Sequence, residues 1–366
     1  MAQSVVAPPH VTRRPAILDD TRYYPATHGA IHAIVDASTV MALFTTIFLH
    51  DLSGVQRFHL VLAYNVLAFG GQGIIGVAVD RFRFARWAPA IGLVLSAVGV
   101  ALVSVDPVVT VALVGTGNAF FHVGAGALSL HAAPGRATPP GIFVAPGALG
   151  LLVGTLMGKG QTAMTWPFLV ALGAALVFTL AARAPDIPPL DAAPRVKIPS
   201  AVLIFALLMF SIFTRSFVGF GGCYECPKMT AVSLTLAFAA FGGKALGGVF
   251  ADRLGWIASS VGALLLSAPL IVLGSGNANL VIFGLFLFQM TMPVTLAAMA
   301  AVFPGRPAFA FGLSCVAYVA GTIPTFFRAV RETIYGPYIF LFLILASAAA
   351  IFVSLKMLEK RVTMRF

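Results

Sequence analysis

Apolar runs of roughly 20 residues, the length a helix needs to cross the hydrocarbon of a bilayer, recur about twelve times along this chain. They centre near residues 38, 69, 96, 119, 149, 174, 210, 240, 265, 290, 318 and 346. The gaps are short. Asp51 to Phe58, Asp80 to Arg86, Pro134 to Pro140 and Pro304 to Pro307 have turn or loop compositions. Hydrophobic residues make up 59% of the 366 and charged residues 10%, which is too apolar for the surface of a soluble protein. The expected class is an all-α polytopic membrane protein.

The net charge of +11 does not point to a nucleic-acid partner, because the positive residues fall between apolar segments. With the N-terminal tail inside, the inside segments hold sixteen Lys and Arg and the outside segments five; Arg215 and Lys244 lie within spans. That asymmetry places both termini in the cytoplasm of a multi-pass cell (inner) membrane protein. The start of the chain carries Pro8, Pro9, Arg13, Arg14, Asp19 and Asp20. It reads as a mobile tail without a cleavable signal. The longest gap, "RAPDIPPLDAAPRVKIPS" (183–200), is rich in proline and charge. The expected organisation is a tail over 1–26, a six-helix half over 27–183, a cytoplasmic linker over 184–200, a second six-helix half over 201–356 and a tail over 357–366.

An internal repeat relates the halves. "AFGGQGIIGVAVDR" (68–81) aligns without gaps to "AFGGKALGGVFADR" (240–253), an offset of 172, with eight of fourteen positions identical. Hydropathy alone does not explain the shared Asp-Arg. Two six-span halves related by a parallel repeat are one recurrent transporter plan. "GVAVDRFRFAR" (Gly76 to Arg86) and "GGVFADRLG" (Gly247 to Gly255) resemble the two cytoplasmic gate motifs of the major facilitator superfamily. The resemblance implies that Asp80, Arg81, Arg86, Asp252 and Arg253 lock the cytoplasmic gate. Ordinary interfacial anchoring is the alternative for such charges. "GIFVAPGALG" (Gly141 to Gly150) is similar to the Gly/Pro motif of antiporters in that superfamily, with Ala145 and Leu149 in place of glycines. Close helix packing would equally use its small residues.

In "THGAIHAIVDAS" (27–38), His28, His32 and Asp36 are four apart twice over. On a helix they drift by ~40° and rise ~6 Å per step, a polar stripe running into the membrane. An intramembrane carboxylate is expensive and usually faces a cavity or a partner, and histidine titrates near neutral pH. Such a chain suits a proton relay. His28 near the interface could simply be solvated, and His32 could be a packed, hydrogen-bonded ring. "HAIVDA" also resembles the first span of fosmidomycin-resistance-like efflux proteins, at His32 and Asp36. In the fourth span, Asn118 and His122 are again four apart. First and fourth spans line the cavity in the superfamily, so the resemblance implies that His122 faces Asp36; a core histidine bonded to a carbonyl is the alternative.

In the second half, Arg215 could balance a substrate anion, pair with Glu225 or snorkel outward. Lys244 stands where the first copy has Gln72, mid-span and among glycines, which suggests a structural partner. Gln289 in the tenth span is a further substrate candidate. Cys223 and Cys226 form a C-x-x-C pair at the outer end of the seventh span; they could form a disulfide or bind a soft metal.

The expected function is proton-coupled secondary transport of a small solute by alternating access, with export by antiport favoured. Asp36, His32 and His122 would couple protons, and together with His28, Asn118, Arg215 and Gln289 they would line the substrate site. The alternative is a transition-metal or metal-chelate transporter using His28, His32, Asp36 and the two cysteines. No P-loop, H-E-x-x-H or G-x-S-x-G is present, so no enzyme is expected. No cofactor is expected either, the proton gradient supplying the energy. The expected partners are a small-molecule or ion substrate and the lipid bilayer, around a monomer.

Overall fold

The computed structural model describes residues 16–160, 164–187, 201–223, 226–227, 229–274 and 277–359. Most of the linker and both chain ends, including Arg13, Arg14 and Glu225, lie outside the described residues.

In hydrocarbon, backbone amides must be satisfied within their own segment, so apolar runs become helices. Among the described residues, ten helices are long and apolar enough to cross a membrane. They are α1 (Thr21–Leu49), α2 (Gly54–Phe82), α4 (Pro107–Ala132), α5 (Thr138–Lys159), α7 (Ala201–Gly221), α8 (Thr230–Leu254), α9 (Trp256–Leu273), α10 (Ala278–Val302), α11 (Pro307–Phe326) and α12 (Pro337–Glu359). Two shorter apolar helices, α3 (Ala88–Ala101) and α6 (Trp166–Ala181), complete the twelve positions. Local chemistry sets the ends. Ser53 and Gln56 form a capping box at the start of α2. Asp106 caps α4 through Val109 N–H at 2.8 Å, with Pro107 in the first turn.

Residues 16–26 depart from the expected tail. α1 is already helical at Tyr24, with Pro25 in its first turn, where proline costs no hydrogen bond. Ahead of it, Leu18 C=O accepts from Arg183 N–H at 2.7 Å, which ties the start of the chain to the end of α6.

The packing repeats with the sequence. α1 lies against α5, and α7 against α11; α3 packs on α4, and α9 on α10. Between the halves the pairs are α2 with α11 and α5 with α8, which exchange under the 172-residue offset. Lipid offers no hydrophobic drive to such contacts, so close approach by small residues supplies them. Gly76 and its repeat mate Gly248 illustrate this. A Cβ on Gly76 would stand 2.5 Å from Ala308 O, and one on Gly248 2.6 Å from Ala137 O.

Both copies of the Asp close the same end of the bundle. Asp80 accepts from the N–H groups of Ala308 (3.2 Å) and Phe309 (2.8 Å) at the start of α11. Asp252 accepts from Ala137 N–H (2.8 Å), Thr138 N–H (2.9 Å) and the Thr138 hydroxyl (2.5 Å) at the start of α5. Each carboxylate therefore caps a helix N-terminus of the opposite half, satisfying orphan amides and the positive end of the helix dipole. The arginines contribute less than the resemblance implied. Arg81, Arg86 and Arg253 make no ion pair among the described residues, and Arg86 lies over the Trp87 ring at 5.8 Å. Arg136, instead, sits 3.7 Å from Asp252.

A carboxylate on a helix N-terminus contributes up to ~2 kcal/mol in partly buried geometry. Asp80→Ala and Asp252→Ala should each raise thiol labelling of a cysteine placed at buried Ala308 or Ala137, by roughly five- to thirtyfold. Labelling equal to the parent protein would show that these caps do not hold that end closed.

Candidate functional site

The bundle centre is polar in one place. Asp36 on α1, with His122 and Asn118 on α4, forms a buried cluster with His32. His32 Nε2 lies 3.0 Å from Asp36 Oδ2 and 2.7 Å from His122 Nε2. Asn118 Nδ2 donates to Asp36 Oδ1 at 2.8 Å, and His122 Nε2 is 3.6 Å from the same oxygen. Thr39 bonds Tyr64 at 2.9 Å and lies 3.3 Å from Asn118 Nδ2, extending the network into α2.

Two carbonyls fix the rings. His32 Nδ1 is 2.9 Å from Phe143 O on α5, and His122 Nδ1 is 2.8 Å from Asn118 O. A carbonyl only accepts, so both Nδ1 atoms must carry protons. In neutral rings both Nε2 atoms would then be lone pairs, facing each other and a carboxylate. A contact of 2.7 Å between them requires one more proton. On His32 Nε2 that proton can be donated to both Asp36 and His122, which satisfies every contact around it. The geometry thus leaves a place for one exchangeable proton among His32, His122 and Asp36.

Local sequence explains the geometry. The i, i+4 spacing puts His32 and Asp36 on one face of α1. Pro146 interrupts α5, leaving the Phe143 carbonyl to His32. Gly147 then lets α5 approach: a Cβ there would collide with His32 Nε2 and stand 2.7 Å from Asp36 Oδ2. Gly150 and Gly154 meet the α1 backbone at Ala33 and Ala37, so Gly147 and Gly150 of the Gly/Pro motif are engaged in α1–α5 packing, while its Gly141 meets the α8 backbone at Lys244.

His32, Asp36 and His122 line a central cavity of about 60 Å³. Across it stand Arg215 of α7 and Lys244 of α8, with Ser314, Cys315 and Tyr318 of α11. A second cavity of about 330 Å³ shares Leu151, Arg215, Lys244 and Tyr318 with the first and continues past Gln289 to Cys223, at the end of α7 away from the two Asp caps.

Two expected members do not join the site. His28 is buried under the Tyr24 ring at 3.7 Å and near Phe178 at 6.2 Å. Two steps of helical drift, ~80° from Asp36, turn it toward α6. Cys223 and Cys226 are joined as a disulfide, so neither offers a thiolate to a metal. Arg215 does not snorkel: it is 3% exposed and donates to Thr295 Oγ1 at 2.8 Å. Lys244 has no structural partner among the described residues. The sequence gives no sign of the Phe143 carbonyl or Thr295 as site members; the Pro146–Gly147 pair is the one local cue to the first.

No protein-family model and no curated protein sequence matches the chain. Solved structures do. The E. coli fucose:proton symporter superposes with a TM-score of 0.67 at 11% identity, over 93% of this chain and 98% of that one. The human organic anion transporter MFSD10 gives 0.66 at 12%, over 94% and 100%. A bacterial homologue of the iron transporter ferroportin, in an outward-facing state, gives 0.56 at 13%, over 92% and 98%. These are similar in fold at low identity, and on that ground this chain has the fold of the major facilitator superfamily.

Proposed function

We propose that this protein is a secondary active transporter that moves a small solute by alternating access and couples that movement to protons. The observation that carries the reading is the His32–His122–Asp36 cluster, whose hydrogen bonds need one exchangeable proton and which faces the central cavity. Losing that proton would leave two ring lone pairs opposed at 2.7 Å and an uncompensated buried carboxylate, so the contact between α1 and α4 would have to open.

The route from cluster to gate is short. α5 touches the cluster at Phe143 and the Asp252 cap at Thr138. Five helical residues separate these points, ~7.5 Å along the axis. A displacement of α5 at the cluster would therefore reach the cap that closes the linker end. That end is cytoplasmic in our reading, by the positive-inside asymmetry. Export by antiport is the direction we assign, on the resemblance within α5.

A second reading places a divalent cation where the proton would be. Ligand atoms of His32, Asp36 and His122 lie within 4.8 Å of one another, and carbonyl partners on both Nδ1 atoms orient the Nε2 atoms inward, as metal-binding histidines require. The ferroportin homologue makes metal cargo a comparison to include.

Vesicles with an imposed pH gradient, screened over organic anions, sugars, drugs and divalent metals, should move one solute in a gradient-dependent way. Asp36→Asn should lower that component at least about tenfold, the equivalent of ~1.4 kcal/mol. Gradient-driven transport undiminished in Asp36→Asn contradicts the proposal. Gly147→Ala should impair the same component, since its methyl group enters the cluster. Gly173→Ala, with nothing within 4 Å, should not; equal behaviour of the two variants would remove the geometric basis for the cluster's role.

A further inference from the structure

Among the described residues, the second half contributes two cations to the chamber and no anion. Arg215 makes one hydrogen bond, to Thr295 Oγ1, out of the five donors of a guanidinium. Lys244 makes no hydrogen bond or ion pair among the described residues, and it lines both cavities. Asp36 faces them, but its oxygens are held by Asn118 and His32 at 2.8 and 3.0 Å. Arg215 is buried and Lys244 half-buried, and a mid-span charge without a counter-charge is costly in a membrane and marks a function by default. The repeat sharpens this point. At the position of Lys244 the first half has Gln72, whose amide nitrogen donates to Ala68 C=O at 2.6 Å; only the second half turns this position into a cation facing the cavity.

We infer that the solute is a small organic anion whose acidic group is held between Arg215 and Lys244. Arg215 offers a planar fork of donors suited to a carboxylate or phosphonate, and Lys244 a point charge. The remaining wall is apolar and aromatic, with Phe69, Phe311, Tyr318, Leu151 and Leu296, and so suits an apolar or aromatic body on that acid. With its own cluster neutral, the chamber without solute carries uncompensated positive charge. An anion offsets it and lowers the cost of carrying the chamber through a closed state. The inference names the cargo of the proposed transporter and rests on that reading for its meaning.

The test is binding to purified protein with no gradient present, so that it stands or falls apart from proton coupling. Acetate, benzoate and phenylphosphonate are titrated against the neutral benzamide, reading the thermal midpoint, since a ligand of the folded state raises it. At least one aromatic anion should stabilise the protein saturably while benzamide does not. Arg215→Gln and Lys244→Gln should each weaken that binding about tenfold or more, and Arg215→Lys less. The wild-type comparison with benzamide needs no variant to fold. No stabilisation by any of the anions, equal stabilisation by benzamide, or unchanged affinity in both folded Gln variants overturns the inference. Anion binding without gradient-driven transport would instead leave the site standing and remove the proton-coupled reading.

Discussion

The contact on which the centre depends is the one between the Nε2 atoms of His32 and His122, 2.7 Å apart. Two such atoms attract only when one is protonated. Because Phe143 O and Asn118 O claim both Nδ1 protons, the proton between the Nε2 atoms is an additional one, and Asp36 beside it is its counter-charge. Hydrogen-bond geometry thus provides the place for a proton on which the proposed coupling rests. It also explains why a chain with so few acidic residues keeps one in the middle of α1. In a low-dielectric interior a half-satisfied polar cluster is worse than none. This one is coherent only with its proton, or a cation, in place.

The same contact organises the surrounding helices. His32 joins α1 to α4 through His122 and to α5 through Phe143. α5 in turn begins on Asp252, while the repeat-related Asp80 holds the start of α11. Two carboxylate caps bridge the halves at the linker end, and one of them sits on the helix that touches the cluster. Packed helices tend to switch between discrete arrangements instead of deforming smoothly, which is how, in the proposed function, a proton at the centre would reach the end of the bundle. Arg215 and Lys244, without an ion-pair partner among the described residues, lie on the other side of the chamber with Phe311 and Tyr318. Proton and solute would then address different halves, and their meeting point is the space between.

Much of the fold was legible because lipid leaves few options. Run length and gap composition located all twelve helices, although α3 and α6 are shorter than a full span. The Asp-Arg repeat singled out Asp80 and Asp252, while their partners, backbone amides of Ala308 and Ala137 far along the chain, were not legible. Periodicity brought His32 and Asp36 together, but it also included His28, because a stripe of four-residue steps drifts around the helix and its first member ends up facing α6. The opposite error occurred at Lys244. Its glycine neighbours suggested a packed partner, and its side chain instead faces the cavity. Which way a mid-span side chain points is set by neighbouring helices, and one sequence does not carry that information. The Phe143 carbonyl was hidden for a related reason: every residue has one, and only the break at Pro146 makes this one available.

The central claim is the protonation pattern of two rings, and nitrogen NMR of histidine-labelled protein in lipid reads it directly. With His32 and His122 assigned by substitution, the account predicts both Nδ1 atoms protonated and His32 doubly protonated, its Nε2 proton shared with His122 and Asp36. A His32 ring that is neutral, or either Nδ1 found without its proton, would contradict it.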